Sequence, residues 1–266
     1  MLRSVFGKSV HDLWRPLVAW TLFTAAWPAF YIALYPSIGA VEEMQQLLDA
    51  MPPAIRSIFV SEGLDIGSPE GYLNMELFAF VLPLLFMAWT IPVAAGATAG
   101  EEERGTLDML LALPIRRWRV VAGKGAFMVV GTVVLGAGAL AGLALGAAAV
   151  SVPLDMGKVA AGVVLAGLLA LAFGGLALLI GALSGRRMAA IAIPFALSVA
   201  AFFVNTLGAL VDWLDPWRPV SPFYHYIAGD PLSRGLDPGS ALVLVAGAVV
   251  AGALAAVAFE RRDLAA

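Results

Sequence analysis

The 266-residue chain contains no cysteine and only two histidines, His11 and His225, far apart in sequence. Without thiols there is no disulfide framework, no thiolate metal ligand and no cysteine nucleophile. Two distant imidazoles do not make a His-rich zinc site. Charge is also scarce: Asp, Glu, Lys and Arg make up 13% of the residues, against about 25% in a soluble domain. Only three of the sixteen basic residues are lysine. A nucleotide-binding P-loop is missing as well, since it needs Gly-x-x-x-x-Gly-Lys-Ser/Thr on a strand–loop–helix. The three Gly-Lys pairs are Gly7-Lys8, Gly123-Lys124 and Gly157-Lys158. The first lacks a glycine five residues before it, and the others are followed by Gly125 and Val159.

What is present is apolar. Hydrophobic residues make up 61% of the chain, and the mean hydropathy is +0.90. A core of this size cannot hide so much apolar surface, so it must face lipid. Six stretches carry no charge at all: Pro16–Val41, Leu77–Gly100, Gly125–Leu154, Val159–Gly185, Met188–Val211 and Gly239–Phe259. Each reaches the roughly 20 residues that a helix needs to cross a bilayer. They are too long and too continuously apolar for barrel strands. The expected fold is all-α: one polytopic transmembrane domain over residues 1–266 with about six spanning helices.

Basic residues set the expected orientation. Arg3, Lys8, Arg15, Arg104, Arg116, Arg117, Arg119, Lys124, Arg186, Arg187, Arg261 and Arg262 fall on one side. Only Arg56, Lys158, Arg218 and Arg234 fall on the other. Positive charge stays inside, which places both termini in the cytoplasm of a multi-pass cytoplasmic-membrane protein. The first span begins like a signal peptide. Its length and its Trp20, Trp27 and Tyr31 argue for an uncleaved helix. Ahead of it, Leu2, Val5, Phe6, Val10, Leu13 and Trp14 recur at three- and four-residue spacing among charged residues. Residues 1–15 are expected to form an amphipathic helix in the cytoplasmic interface; the plainer alternative is the inner end of the first span.

Residues 42–76 form an acidic outer loop in which Arg56 is the lone base. Val41, Met44, Leu47, Leu48 and Met51 suggest a short surface helix stopped by Pro52-Pro53. Residues 212–238 are a second outer loop, with Trp213, Trp217, Phe223, Tyr224 and Tyr226 as interfacial anchors. Within the spans, Gly138, Gly142 and Gly146 form a tandem GxxxG that suits close helix packing, inside the chain or between subunits. Pro83 and Pro92 are expected to bend the second helix and Pro194 the fifth. Asn205 and Thr206 are a polar pair in the fifth span, read as packing groups ahead of pathway contacts.

The inner loop 101–124, EEERGTLDMLLALPIRRWRVVAGK, is the most informative segment. Gly105-Thr106 breaks the chain, and Thr106 can cap a short helix with Asp108 in its first turn. Leu107, Leu110 and Leu111 give that helix an apolar face, and Pro114 ends it. Such a face suits either a groove in a soluble partner or the membrane surface. Arg116, Arg117, Trp118 and Arg119 then lie near the headgroups, and Lys124 marks the start of the third span.

This segment resembles the hallmark of ABC-2 type transporter permeases: E-E-x-R-G-T-L-x-x-L-L-x-x-P-x-x-R followed by G-K, matched from Glu101 to Lys124 without a departure. The amphipathic start, P-E-G-Y-L at Pro69–Leu73 and the six spans are similar to that family along essentially the whole chain. The resemblance implies an ABC-2, type V exporter-like architecture and a permease paired with a second permease chain, identical or not. It also implies a separate ATPase subunit that carries ATP and Mg²⁺, so this chain binds no cofactor and is not itself an enzyme. Beyond membrane lipid, no nucleic acid partner is expected. By match, Glu101, Glu102, Arg104, Gly105, Thr106, Leu107, Leu110, Pro114 and Lys124 make up the coupling loop. Leu107 and Leu110 would be its apolar anchors, and Glu101, Glu102 and Arg104 would set docking polarity. Two other readings remain. A membrane tether for a regulatory ATPase would share the loop but have no pathway. An intramembrane enzyme would need clustered catalytic groups, and no H-E-x-x-H, paired mid-span Asp or Ser-His constellation occurs.

Overall fold

A computed structural model describes residues 5–37, 68–103, 105, 116–227 and 230–261. Among them no strand occurs, and six helical stretches are long and apolar enough to cross a membrane, one per charge-free run. In chain order the helices are α1 (Val5–Leu34), α2 (Pro69–Leu73), α3 (Val81–Ala97), α4 (Ala99–Glu103), α5 (Arg117–Ala149), α6 (Met156–Ser184), α7 (Arg187–Gly208), α8 (Pro222–Ile227), α9 (Pro231–Arg234) and α10 (Pro238–Arg261).

Residues 5–15 do not form a separate helix, contrary to the sequence expectation. They continue through Pro16 into the first span as one 30-residue α-helix. Pro16 cannot donate to the Asp12 carbonyl, but both residues are exposed, so headgroups or water can satisfy that carbonyl. The amphipathic start is held down by packing. Val5 lies where a side chain on Gly123 would stand, and Phe6 meets Phe127 edge-on at 6.2 Å.

The second span also starts earlier than its charge-free run. The outer loop expected over 42–76 gives way to helix at Pro69, where Ser68 accepts from the Gly71 N–H at 3.0 Å. A π-turn over Asn74–Phe78 joins α2 to the turn at Ala79-Phe80 before α3. Pro83 lacks the N–H that would bond the Ala79 carbonyl, so the break falls one turn before the proline. Pro92 and Pro194 sit inside α3 and α7, which continue through them. The surface helix expected around 41–51 lies outside the described residues.

The most buried helix is α6, with α3, α5, α7 and α10 around it. Its small residues make this arrangement possible. Gly162 faces the Phe78 ring, Gly174 faces Thr90 and Met128, and Gly175 faces Ala248 and Ala251 of α10. Apolar association gains little in lipid, so close contact and interhelical hydrogen bonds hold such bundles together. The Thr90 hydroxyl donates to the Ala170 carbonyl at 2.9 Å. On the far side, α1 runs parallel to α5 along Gly138, Gly142 and Gly146, which meet Thr21, Ala25, Ala29 and Ile32. The tandem GxxxG therefore packs within the chain.

At the end of the bundle opposite Glu101, the segment expected to be a loop over 212–238 is largely folded. A 3₁₀ stretch (Asp215–Val220), α8 and α9 form a small cap. Trp213 and Trp217 are exposed as interfacial anchors should be, but Phe223 and Tyr226 are core residues. Tyr226 donates its hydroxyl to the Phe78 carbonyl at 2.7 Å, beside the turn that interrupts the second span. His225 lies 2.9 Å from the Pro219 carbonyl. Asp237 accepts from the N–H groups of Gly239 and Ser240 at the start of α10, and hydrogen bonding from Ser240 holds its carboxyl below the usual value. Replacing Tyr226 with phenylalanine strands the buried Phe78 carbonyl, which should cost about 1–3 kcal/mol. The melting midpoint in detergent reads this, and no shift would mean the bond contributes nothing.

Candidate functional site

Among the described residues, buried charges meet at the root of the 101–124 segment. α3 ends at Thr98, whose φ of −115° and ψ of −80° turn the chain into α4. α4 sits over the start of α7, where Glu103 accepts the Arg187 backbone N–H at 2.8 Å. A carboxylate at that helix N-terminus complements its dipole. Two residues earlier in α4, on another side of the helix, Glu101 points into the protein and is 4% exposed. Lys124 of α5 approaches its Oε1 at 2.5 Å, and Lys8 of α1 approaches its Oε2 at 3.3 Å. Lys124 is 8% exposed, so one carboxylate ties together α1, α4 and α5.

Two sequence expectations change here. The helix of the third span does not begin at Lys124, which lies two turns inside α5, whose first residue is Arg117. Glu101 is buried rather than displayed on the loop surface, because a carboxylate leaving water needs paired cations and two are within reach. Glu102 is helical within α4, and Gly105 is exposed with φ +65°, a backbone state that favours glycine. Arg104, Thr106, Leu107, Leu110 and Pro114 lie outside the described residues. In α7, Asn205 is buried and Thr206 half-buried; neither lines the cleft beside the triad.

That cleft has a volume of about 590 Å³ and lies between α1 and α3, with α5 as its floor. Its charged lining is Lys8, Asp12, Glu101, Lys124 and Arg187. Its apolar lining includes Leu13, Trp20, Trp89, Val93 and Phe127. The Trp89 indole fills the space left by the absent side chain of Gly131, and its Nε1 is buried with no partner among the described residues. Sequence reasoning missed the cleft, whose aromatics are indistinguishable from lipid-facing ones in a chain this apolar. The triad did leave a signal. Of only three lysines in the protein, two converge on Glu101.

Six helices long and apolar enough to cross a bilayer, packed into one bundle, define the class: a multi-pass membrane protein. The chain belongs to the ABC-2 transporter family: the family model described as ABC-2 family transporter protein matches residues 4–264. It is therefore the permease component of an ABC transporter, a family whose members associate with an ABC ATPase. No curated protein matches the chain.

Proposed function

We propose that this chain is the transmembrane subunit of an ABC exporter, with the end that holds Glu101 and both termini facing the cytoplasm. A separate ATPase subunit, which carries ATP and Mg²⁺, docks on the loop between Glu101 and Lys124. A second permease chain completes the passage. Leu107 and Leu110 anchor the ATPase, while Glu102 and Arg104 orient it. Glu101 and Lys124 act inward. The observation that carries this reading is the three-way ion contact at the loop root, because a displacement of the loop reaches α1 and α5 through Glu101. Such a displacement follows from differential binding of the ATPase to two states of the permease. The tether reading offers no role for a cleft of about 590 Å³ opening beside the brace.

The test is co-purification of the tagged permease with its ATPase in mild detergent. Leu110→Asp should release the ATPase while the permease remains monodisperse. Gly105→Pro should retain binding but lose ATP-driven transport into inverted vesicles, since proline cannot take the φ of +65° found there. Full transport by a well-expressed Leu110→Asp protein would refute the docking assignment. Binding without any vesicle transport would favour the tether.

A further inference from the structure

We infer that the cleft between α1 and α3 binds an amphiphile with one anionic head group and an apolar body. Among the described residues that line it the charges do not cancel: Lys8, Lys124 and Arg187 stand against Asp12 and Glu101, one positive charge in excess, while Glu103, outside the lining, is engaged by the Arg187 backbone N–H. Glu101, itself buried, takes contacts from both ammonium groups. The Arg187 guanidinium makes no ion pair among the described residues, and it projects from the start of α7 along Gly100. Low-dielectric walls focus such a field. A single carboxylate, phosphate or sulfate head would neutralise it, and a cationic head would add to it.

The rest of the wall suits an apolar body. Trp20, Trp89, Phe127, Leu13 and Val93 leave few polar groups away from the charged rim. The volume lies within the roughly 300–1,000 Å³ of small-molecule sites. Head and body are thus separated along the cleft, charges beside α4 and aromatics deeper between the helices. The step from ligand to transported cargo rests on the export reading above; the binding itself does not.

The experiment uses the full chain without its ATPase, in nanodiscs of zwitterionic lipid. Of the seven tryptophans, Trp14, Trp27, Trp118, Trp213 and Trp217 are exposed, and replacing them with phenylalanine leaves Trp20 and Trp89 as reporters. Four brominated quenchers are compared: dibromostearate, dibromostearyl alcohol, a dibromostearyl quaternary ammonium and dibromo-phosphatidylglycerol. Saturable quenching by the anionic probes is expected, at a midpoint about tenfold below that of the alcohol, the factor expected of one partly screened ion pair. Arg187→Glu, at an exposed position, should abolish that preference without lowering the melting midpoint. Lys8→Gln should weaken it. Quenching by stearate identifies a free amphiphile, and quenching by phosphatidylglycerol alone identifies a membrane lipid; either supports the site. Equal midpoints for the anion, the alcohol and the ammonium would overturn it, as would non-saturating quenching or an anion preference retained in Arg187→Glu. These results do not depend on ATPase binding, so failure here leaves the docking assignment standing, and failure of docking leaves the site standing.

Discussion

Replacing Gly142 with alanine is expected to prevent α1 from seating on α5, and replacing it with valine to abolish the folded protein. A Cβ at this position would collide with the backbone carbonyl of Ala25. Rotamer changes cannot relieve that contact, because the obstructing atoms are main chain. Gly138 and Gly146 leave more room but are still close, with Thr21 against the first and Ala29 and Ile32 against the second, so the whole seam would have to open. Overpacking a core ordinarily costs about 1–3 kcal/mol because side chains share the adjustment. Two backbones in contact cannot share it, and the cost should exceed that range. Gly247 is the control, since nothing lies within 4 Å of a Cβ there. Melting midpoints and size-exclusion profiles in detergent would compare the two. A Gly142→Val protein that elutes and melts like Gly247→Val would mean that α1 does not pack on this seam.

The same seam shows how far the sequence could be read. Six charge-free runs gave six spans because a bilayer leaves a helix few alternatives. The tandem glycines marked a close approach. Spacing alone does not say which helix approaches, and the partner proved to be α1 through Thr21 and Ala25. Boundaries moved where charge was a poor guide. Glu101 and Lys124 flank the charge-free runs Leu77–Gly100 and Gly125–Leu154, so charge alone puts both in the water-facing loop. In three dimensions each removes the reason to keep the other exposed, and both are buried. Ionic pairing between residues 23 positions apart, with a third member 93 positions from Glu101, leaves no local pattern. Tyr226 departs from the sequence expectation for a related reason. A tyrosine among prolines and aromatics reads as an interfacial anchor, and only the free Phe78 carbonyl beside the α2–α3 break turns it inward.

Removing the Glu101 carboxylate should therefore do more damage than its place at a loop edge suggests. Glu101→Ala leaves Lys124 buried with its carboxylate partner gone, and loss of one member of a buried pair costs about 3–5 kcal/mol. The two lysines should respond unequally. The Lys8 side chain is 32% exposed and can turn toward water, so Lys8→Ala should cost within about 1 kcal/mol. Lys124, at 9% side-chain exposure, has no such route, and Lys124→Ala removes the shorter of the two lysine contacts to Glu101. Combining Glu101→Gln with Lys124→Met removes both buried charges at nearly constant volume, and should recover most of the stability lost in either single variant. Recovery of stability without recovery of ATP-driven transport would separate a coupling role from a structural one, because the neutral pair no longer draws Lys8 and α1 toward the loop root. Full transport by the double variant would reduce the triad to a stabilising contact. An unshifted melting midpoint in Glu101→Ala would contradict the buried ion arrangement itself.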